Sequence, residues 1–359
     1  MRIGILTGGG DCPGLNAVIR AAVIKGAVSY GDEFVGFTDG WRGMLQRNTM
    51  PLDSERCRDI LPLGGTILGS SRTNPFSQEE GPERIAATFN AERLDAVIAI
   101  GGEDTLGVAA RLADSVALPV VGVPKTIDND IAGTEVTFGF QTAVQTATDA
   151  IDRLRTTAES HHRVIVCEVM GRNAGWIAIH AGIAGGAAEI LVPEEPFDIA
   201  AICTRIERRH ASGLFSSIVV VAEGASPATN AQSTDILGGS VQDGGTQGNT
   251  DVRTDQFGHE RLGGISNLVA QEIERRTGIE SRVTILGHIQ RGGTPTAFDR
   301  VLATRFGVEA IEACHDSDFQ VMVALQAGKI ERIPITTALS APKTADMSLI
   351  HEVAEAFLG

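Results

Sequence analysis

A chain of 359 residues with 43% hydrophobic content can bury a core of ordinary size, and its length suits two domains, which excludes a disordered chain. A formal net charge of −15 excludes a nucleic-acid surface, because such surfaces need clustered Lys and Arg to displace counterions; small anionic ligands need only a local basic pocket and stay in play. No apolar run approaches the length of a membrane span, the first residues enter a strand pattern at once, and Cys12, Cys57, Cys167, Cys203 and Cys314 form no C-x-x-C pair, so a cytosolic protein with reduced thiols and no zinc site is expected.

Residues 2–7 read as a strand and 15–28 as a helix, with Gly8-Gly9-Gly10-Asp11-Cys12-Pro13-Gly14 between them. A glycine-rich turn of this kind lets backbone N–H groups converge on a phosphate at a helix N-terminus. Its spacing, G-x-G-x-x-x-G, departs from a dinucleotide fingerprint, and a tight turn that needs positive φ is the structural alternative. A second strand is expected over 34–38, followed by a loop from Asp39 to Gly43, and a small-residue turn then ends in Arg72, whose guanidinium suits a phosphate oxyanion. Residues 94–100 are a buried strand, broken by Gly101-Gly102-Glu103-Asp104-Thr105 before a helix from about 106 to 115. Two readings fit Glu103 and Asp104: carboxylates favoured at a helix N-terminus, or a Mg²⁺ ligand beside a phosphate chain.

Residues 120–123 are apolar and β-branched and are stopped by Pro124, so Lys125, Thr126, Asp128 and Asp130 are expected in a loop at a strand's carboxyl end, where open α/β sheets bind ligands. A cation, a hydroxyl and two carboxylates suit phosphate, Mg²⁺ and a proton to be moved, while an Asx-type turn at Asp128-Asn129 explains the same residues structurally. A helix over 141–158 leads to further strand and helix pairs: a strand over 163–170 and a helix over 176–184, then a strand over 217–222, a helix over 265–276 and a strand over 282–289. A helix over 297–313, a hairpin of 321–326 with 330–334, and a closing helix over 348–358 complete the chain. Strand alternating with helix means parallel sheets covered on both faces. Residues 226–258, rich in Ser, Thr, Asn, Gln, Asp and Gly, read as a flexible insertion without chemistry.

TGGGDCPGLNAVIR, GGEDT, PKTIDND, HHRVIVCEVMGRNAGWIA, VVAEG and RVTILGHIQRGG, in this order, resemble the 6-phosphofructokinase family over nearly the whole chain except 226–258. The resemblance implies an α/β fold of two three-layer α/β/α domains with mainly parallel sheets and the active site in the cleft between them. It places a phosphoryl-donor domain at 1–139 plus 290–340, and a fructose 6-phosphate domain at 140–289 plus 341–359. By the same resemblance Asp128 is the general base, with Thr126 and Asp130 beside it, and Arg172 stabilises the transferring group. Gly10, Arg72, Asp104 and Lys125 attend the donor, and Glu103 takes the Mg²⁺ position where the family usually has Asp. Met170, Gly171, Glu223, His288 and Arg291 attend the sugar phosphate. Arg163 and Arg282 arrive from a neighbouring subunit of a homodimer or homotetramer.

Within the family the resemblance is to the pyrophosphate-dependent members of the actinomycete-like bacterial branch. ATP-dependent members usually have Gly at the positions of Asp104 and Lys125, which leaves room for a nucleotide's α-phosphate; Asp104 puts a like charge there. Some ATP-dependent members keep the Lys, so Asp104 decides and ATP remains the alternative donor. A dinucleotide-dependent oxidoreductase would have no purpose for residues 125–130, and a sugar-phosphate sensor would gain nothing from a base at Asp128.

Overall fold

The computed structural model describes residues 1–228 and 264–354. The chain forms two compact units, Met1–Ala143 with Arg291–Lys343 and Val144–Gln290 with Thr344–Gly359. The sequence expectation had set the junctions at 139/140, 289/290 and 340/341. The part of the expected insertion from 229 onward lies outside the described residues, as do residues 355–359 of the closing helix. Its first residues are anchored: Pro227 bridges to Phe197, whose N–H donates to the Ser226 carbonyl.

Unit 1 is built on one sheet. Strands β1 (Arg2–Thr7), β2 (Glu33–Phe37), β3 (Thr49–Leu52), β4 (Ala96–Gly101), β5 (Val120–Thr126), β11 (Val321–Gln326) and β12 (Lys329–Pro334) lie in the order β12-β11-β5-β4-β1-β2-β3, and a short β6 (Phe138–Gly139) pairs with β5. The five strands between the edges, β11, β5, β4, β1 and β2, run parallel, while β3 and β12 close the two edges antiparallel. Continuous apolar runs such as Ala96–Gly101, buried at every position, are what a strand covered on both faces requires. Helices α1 (Leu15–Tyr30), α2 (Trp41–Gln46), α3 (Gly81–Ala91) and α4 (Glu103–Val116) alternate with these strands, and a later helix, Ala297–His315, packs along α1. Gly307 makes that approach possible, since a Cβ there would stand 2.6 Å from the Val18 carbonyl.

Two expectations change. Pro124 does not stop its strand: β5 continues through Lys125 to Thr126. Strand β11 pairs with β5 only at Val121 and Gly122, so beyond that point one side of β5 asks no ladder hydrogen bond of the proline. Likewise α4 begins at Glu103, which puts Glu103 and Asp104 inside its first turn.

Unit 2 carries strands β7 (Val164–Val169), β8 (Glu189–Leu191), β9 (Ser217–Ala222) and β10 (Ser281–Ile285) in the order β10-β7-β9-β8, all parallel among the described residues. Helix α5 (Phe140–His161) enters the unit, and α6 (Trp176–Ala184), α7 (Ile199–Ala211) and α8 (Ile265–Thr277) connect the strands; the helix Ala297–His315 is α9. Val164, Val166, Val219 and Val221 of the sheet pack against Ile199, Ile202 and Ile206 of α7 and Val269 and Ile273 of α8. The strand expected over 282–289 stops at Ile285; Gly287 turns with φ 50° and a single 3₁₀ turn, Gly287–Arg291, follows.

Candidate active site

In unit 1 the sheet order reverses between β1 and β4: the chain goes outward from β1 through β2 and β3, then returns to β4 on β1's other side. Ligands of open α/β sheets bind outside the carboxyl ends of the strands at such a point. Three adjacent parallel strands deliver their exit loops there. Thr7 is in register with Ile100 and Gly101 with Pro124, so Gly8–Gly10, Glu103–Asp104 and Lys125–Asp130 leave neighbouring strands at one edge.

The glycine loop is shaped by its neighbours. Gly8 N–H donates to the Ile100 carbonyl (2.9 Å), and Gly9, at φ 80°, donates to Ser71 (3.1 Å) while its own carbonyl accepts from Ser70 Oγ. These bonds bring the segment carrying the exposed Arg72 against the loop. Lys125, 3% exposed, donates from Nζ to the Gly10 carbonyl. Arg291 lies on the other side of Gly10, where a Cβ would be 2.5 Å from its Nη1, and it donates to the Asp11 carbonyl at 3.4 Å. Arg291, expected with the sugar-phosphate groups, therefore stands at the glycine loop. Burial pushes the Lys125 ammonium below its ordinary range, partly offset by Asp11 and Asp128. An arriving phosphate would restore the proton's advantage there.

Beyond Lys125 the side chains alternate. Thr126, Asp128 and Asp130 are half-buried, whereas Ile127, Asn129 and Ile131 are buried. Thr126 Oγ1 accepts from the Asp128 N–H (3.0 Å). Asn129, in the left-handed region at φ 53°, accepts from the Thr137 N–H (3.1 Å), and Thr137 Oγ1 donates to the Thr126 carbonyl (2.8 Å). These bonds, a Thr126 side-chain turn on the Asp128 N–H and the reach of Asn129 to Thr137, differ from the Asx-type turn expected at Asp128-Asn129, and they fix the backbone of the loop. Burial raises the Asp130 carboxyl above the usual range; its own backbone N–H, Thr126, Lys125 and Lys343 oppose the shift. Glu103 is exposed and Asp104 half-buried. Among the described residues no group of three His, Cys, Asp or Glu side chains could hold a metal by itself.

Unit 2 has a cluster of its own at the carboxyl edge of β7, β9 and β10. Met170, Gly171 and Arg172 follow β7; Glu223 follows β9, its N–H on the Val169 carbonyl (2.9 Å); and Gly224 bonds to Gly171 (3.1 Å). A Cβ on Gly224 would collide with the Arg172 carbonyl, so the two loops approach as closely as backbone allows. Gln290, fully buried, accepts from the Met170 N–H (3.2 Å) and donates to Gly287 (3.0 Å), fixing the turn that presents the exposed His288. Glu194 accepts from Gly175, the N-cap of α6, at 2.9 Å and from Ala345 at 2.7 Å. Sequence reasoning passed over both. Gln290 stands inside the quoted motif; for Glu194 no local pattern gives a signal.

Arg163 and Arg282 do not join this cluster. Arg163 precedes the first residue of β7 and Arg282 is the second residue of β10, so both sit at the amino edge of the sheet. The six residues of β7, roughly 20 Å at about 3.3 Å per residue, separate Arg163 from Met170, and Arg282 lies in register with Ile165 near the same amino edge. Glu280 Oε1 holds both, 3.4 Å from Arg163 Nη2 and in close contact with Arg282 Nη2.

The family described as PFK, phosphofructokinase, matches residues 2–314. The chain is 56% identical over 353 residues to the pyrophosphate--fructose 6-phosphate 1-phosphotransferase of Streptomyces coelicolor, covering 98% of each chain. It is also 52% identical over 344 residues to ATP-dependent 6-phosphofructokinase 3 of the same organism, covering 96% of each. Among solved structures it is similar to the phosphofructokinase of Pichia pastoris in the T-state, with TM-score 0.79 and 28% identity, covering 99% of this chain and 36% of that one.

Proposed function

From the membership of this chain in the phosphofructokinase family, a family of phosphotransferases, we propose that it moves a phosphoryl group reversibly between pyrophosphate and the 1-hydroxyl of fructose 6-phosphate. The observation that carries the reading is the delivery of Gly8–Gly10, Glu103–Asp104 and Lys125–Asp130 from three adjacent strands to one sheet edge. In phosphoryl transfer the protein mainly positions reactants and neutralises spreading charge, and this edge offers what that requires. Asp128 takes the proton from the attacking hydroxyl, with Thr126 and Asp130 orienting the sugar beside it. Gly10, Arg72 and Lys125 receive the donor phosphates, and Arg291, lying against Gly10, offers a further guanidinium to a phosphate.

Magnesium fits the donor set, since it takes one or two carboxylates together with substrate phosphates and keeps several waters. Glu103, exposed in the first turn of α4, is the carboxylate for it; bound there, Mg²⁺ would offset the negative charge of the transferring group. On unit 2, Met170, Gly171, Glu223 and His288 bind the sugar phosphate, and Arg172 steadies the group in transit. Arg163 and Arg282 serve the site of a neighbouring copy, for which their place at the opposite edge of the sheet is the support. All five cysteines are buried free thiols, the usual state in a reducing compartment, which supports a cytoplasmic enzyme.

Asp104 selects the donor. Half-buried in the first turn of α4, it sets a carboxylate where a nucleotide would carry its α-phosphate; two such charges about 4 Å apart repel by roughly 4 kcal/mol at an effective dielectric near 20. Pyrophosphate has no third phosphate to be repelled. ATP is the second reading, favoured by the 52% identity to an ATP-dependent relative. Initial rates with pyrophosphate and with ATP, side by side, test the choice. Pyrophosphate is expected to give the higher kcat/KM, and Asp104→Gly to weaken pyrophosphate use while opening some ATP use, more so with Lys125→Gly. Equal or better turnover of ATP by the wild type would transfer the assignment to ATP.

A further inference from the structure

We propose that Lys343 is a positioning residue for the reaction, a clamp that holds the loop of Thr126, Asp128 and Asp130 in its working shape. The proposal rests on the reading of that loop as the reacting one. Lys343 lies 213 residues beyond Asp130, after the 3₁₀ turn Ile335–Leu339 that follows β12, and it reaches the loop with both ends of its structure. Its backbone N–H donates to the Asp130 carbonyl (2.9 Å). Its Nζ donates to the carbonyls of Thr134 (3.1 Å) and Glu135 in the turn that follows.

That turn is already tied on its other side to the β11–β12 hairpin. Glu135 N–H donates to Leu325 (2.9 Å), Leu325 N–H to Thr134 Oγ1 (3.0 Å), and Ala327 N–H to the Glu135 carboxylate (2.6 Å). With the hairpin holding these groups, the Thr134 and Glu135 carbonyls turn to Lys343. The loop is therefore stretched between Thr126 on β5 and a turn fastened from two directions. Losing the ammonium frees one of those fastenings, and misplacement of a reacting carboxylate by about 1 Å can cost a hundredfold in rate.

The charge of Lys343 acts on the loop as well. The charged groups that face it are Asp130 and Glu135; those that face Asp130 are Lys125 and Lys343. Burial lowers the Lys343 ammonium to about 8, so it is charged at neutral pH. Burial works in the opposite sense on Asp130, raising its carboxyl, and the two lysines counter it. Without Lys343 the Asp130 carboxyl rises further and holds its proton to higher pH.

Lys343→Met is expected to lower kcat at least tenfold, to leave KM for pyrophosphate within about threefold, and to move the acid limb of the kcat/KM profile to higher pH. Lys343→Arg, which keeps the charge, should leave that limb in place. A Met variant with wild-type kcat per folded molecule, or with an unmoved acid limb, overturns the proposal. Should the Met variant not fold, Lys343→Gln keeps a donor for the carbonyls without the charge, and an unmoved limb there is equally decisive. If the wild type shows no phosphotransfer at all, the functional reading falls separately. Amide exchange over residues 130–137 then judges the clamp: it should be about tenfold faster in Lys343→Met, which has no donor for the carbonyls, than in wild type, and equal rates overturn it.

Discussion

On the proposed reading Asp128 is the residue that takes the proton, and its replacement by Asn keeps size and shape while removing the proton acceptor. The Thr126 hydroxyl accepts from the backbone N–H of residue 128, a bond that the variant keeps, so the loop should keep its form. Asp128→Asn is therefore expected to bind fructose 6-phosphate with near wild-type affinity, measured calorimetrically, and to lose a factor of ~10²–10⁴ in kcat, the range for a positioned general base. A variant with unimpaired kcat would remove Asp128 from the mechanism. His288 belongs to the opposite case. It is exposed on a turn that Gln290 holds and on the proposed reading contacts the sugar phosphate, so His288→Ala should raise KM for the sugar phosphate and spare kcat.

At the scale of elements, the junction of β1, β4 and α4 has no slack. A Cβ on Gly101 would stand 2.3 Å from Thr105 Cβ, and one on Gly8 2.4 Å from Thr105 Oγ1. Thr105 is buried on the first turn of α4 with no flexible end to swing aside. Gly101→Ala is thus expected to cost ~1–3 kcal/mol of stability, read from the urea midpoint, as overpacking of a filled site does. An unchanged midpoint would mean that α4 can slide. The strands feeding this junction were legible because each is a short apolar run ending in glycine or a polar cluster. The same habit misled at Pro124, where a proline that looks like a stop is tolerated beside an unpaired stretch of β5. Helix α7 shows its apolar positions at 199, 202, 203 and 206, the i, i+3, i+4, i+7 pattern, so it was there to be read among residues where no motif drew the eye. Strand β8, three residues long, gives no period to detect. The roles of Glu194 and Lys343 were not legible for another reason: each acts on a loop far along the chain, and nothing in its own neighbourhood marks it.

For the whole molecule, the proposed service of Arg163 and Arg282 to a neighbouring copy's site makes a prediction that one subunit alone cannot satisfy. Asp128→Asn chains and Arg282→Ala chains should each be nearly inactive as pure oligomers. Unfolded together and reassembled, they should recover activity well above either parent, because a site with intact Asp128 can then receive an intact Arg282 from its neighbour. Mixed oligomers as inactive as the parents would place both residues in the same subunit's site. The order in which the sheet of unit 1 is completed has a consequence for the newborn chain. Strand β5 waits for β11, which is encoded about two hundred residues later, after the whole of Val144–Gln290 has been made. At roughly 5–20 residues per second, a ribosome leaves that edge open for about 10–40 s, an interval in which a parallel strand can stick to a stranger. A cell making this protein must shelter it while it is still being translated, and yield on rapid overexpression should depend more on trigger-factor-like chaperones than the stability of the finished fold would suggest.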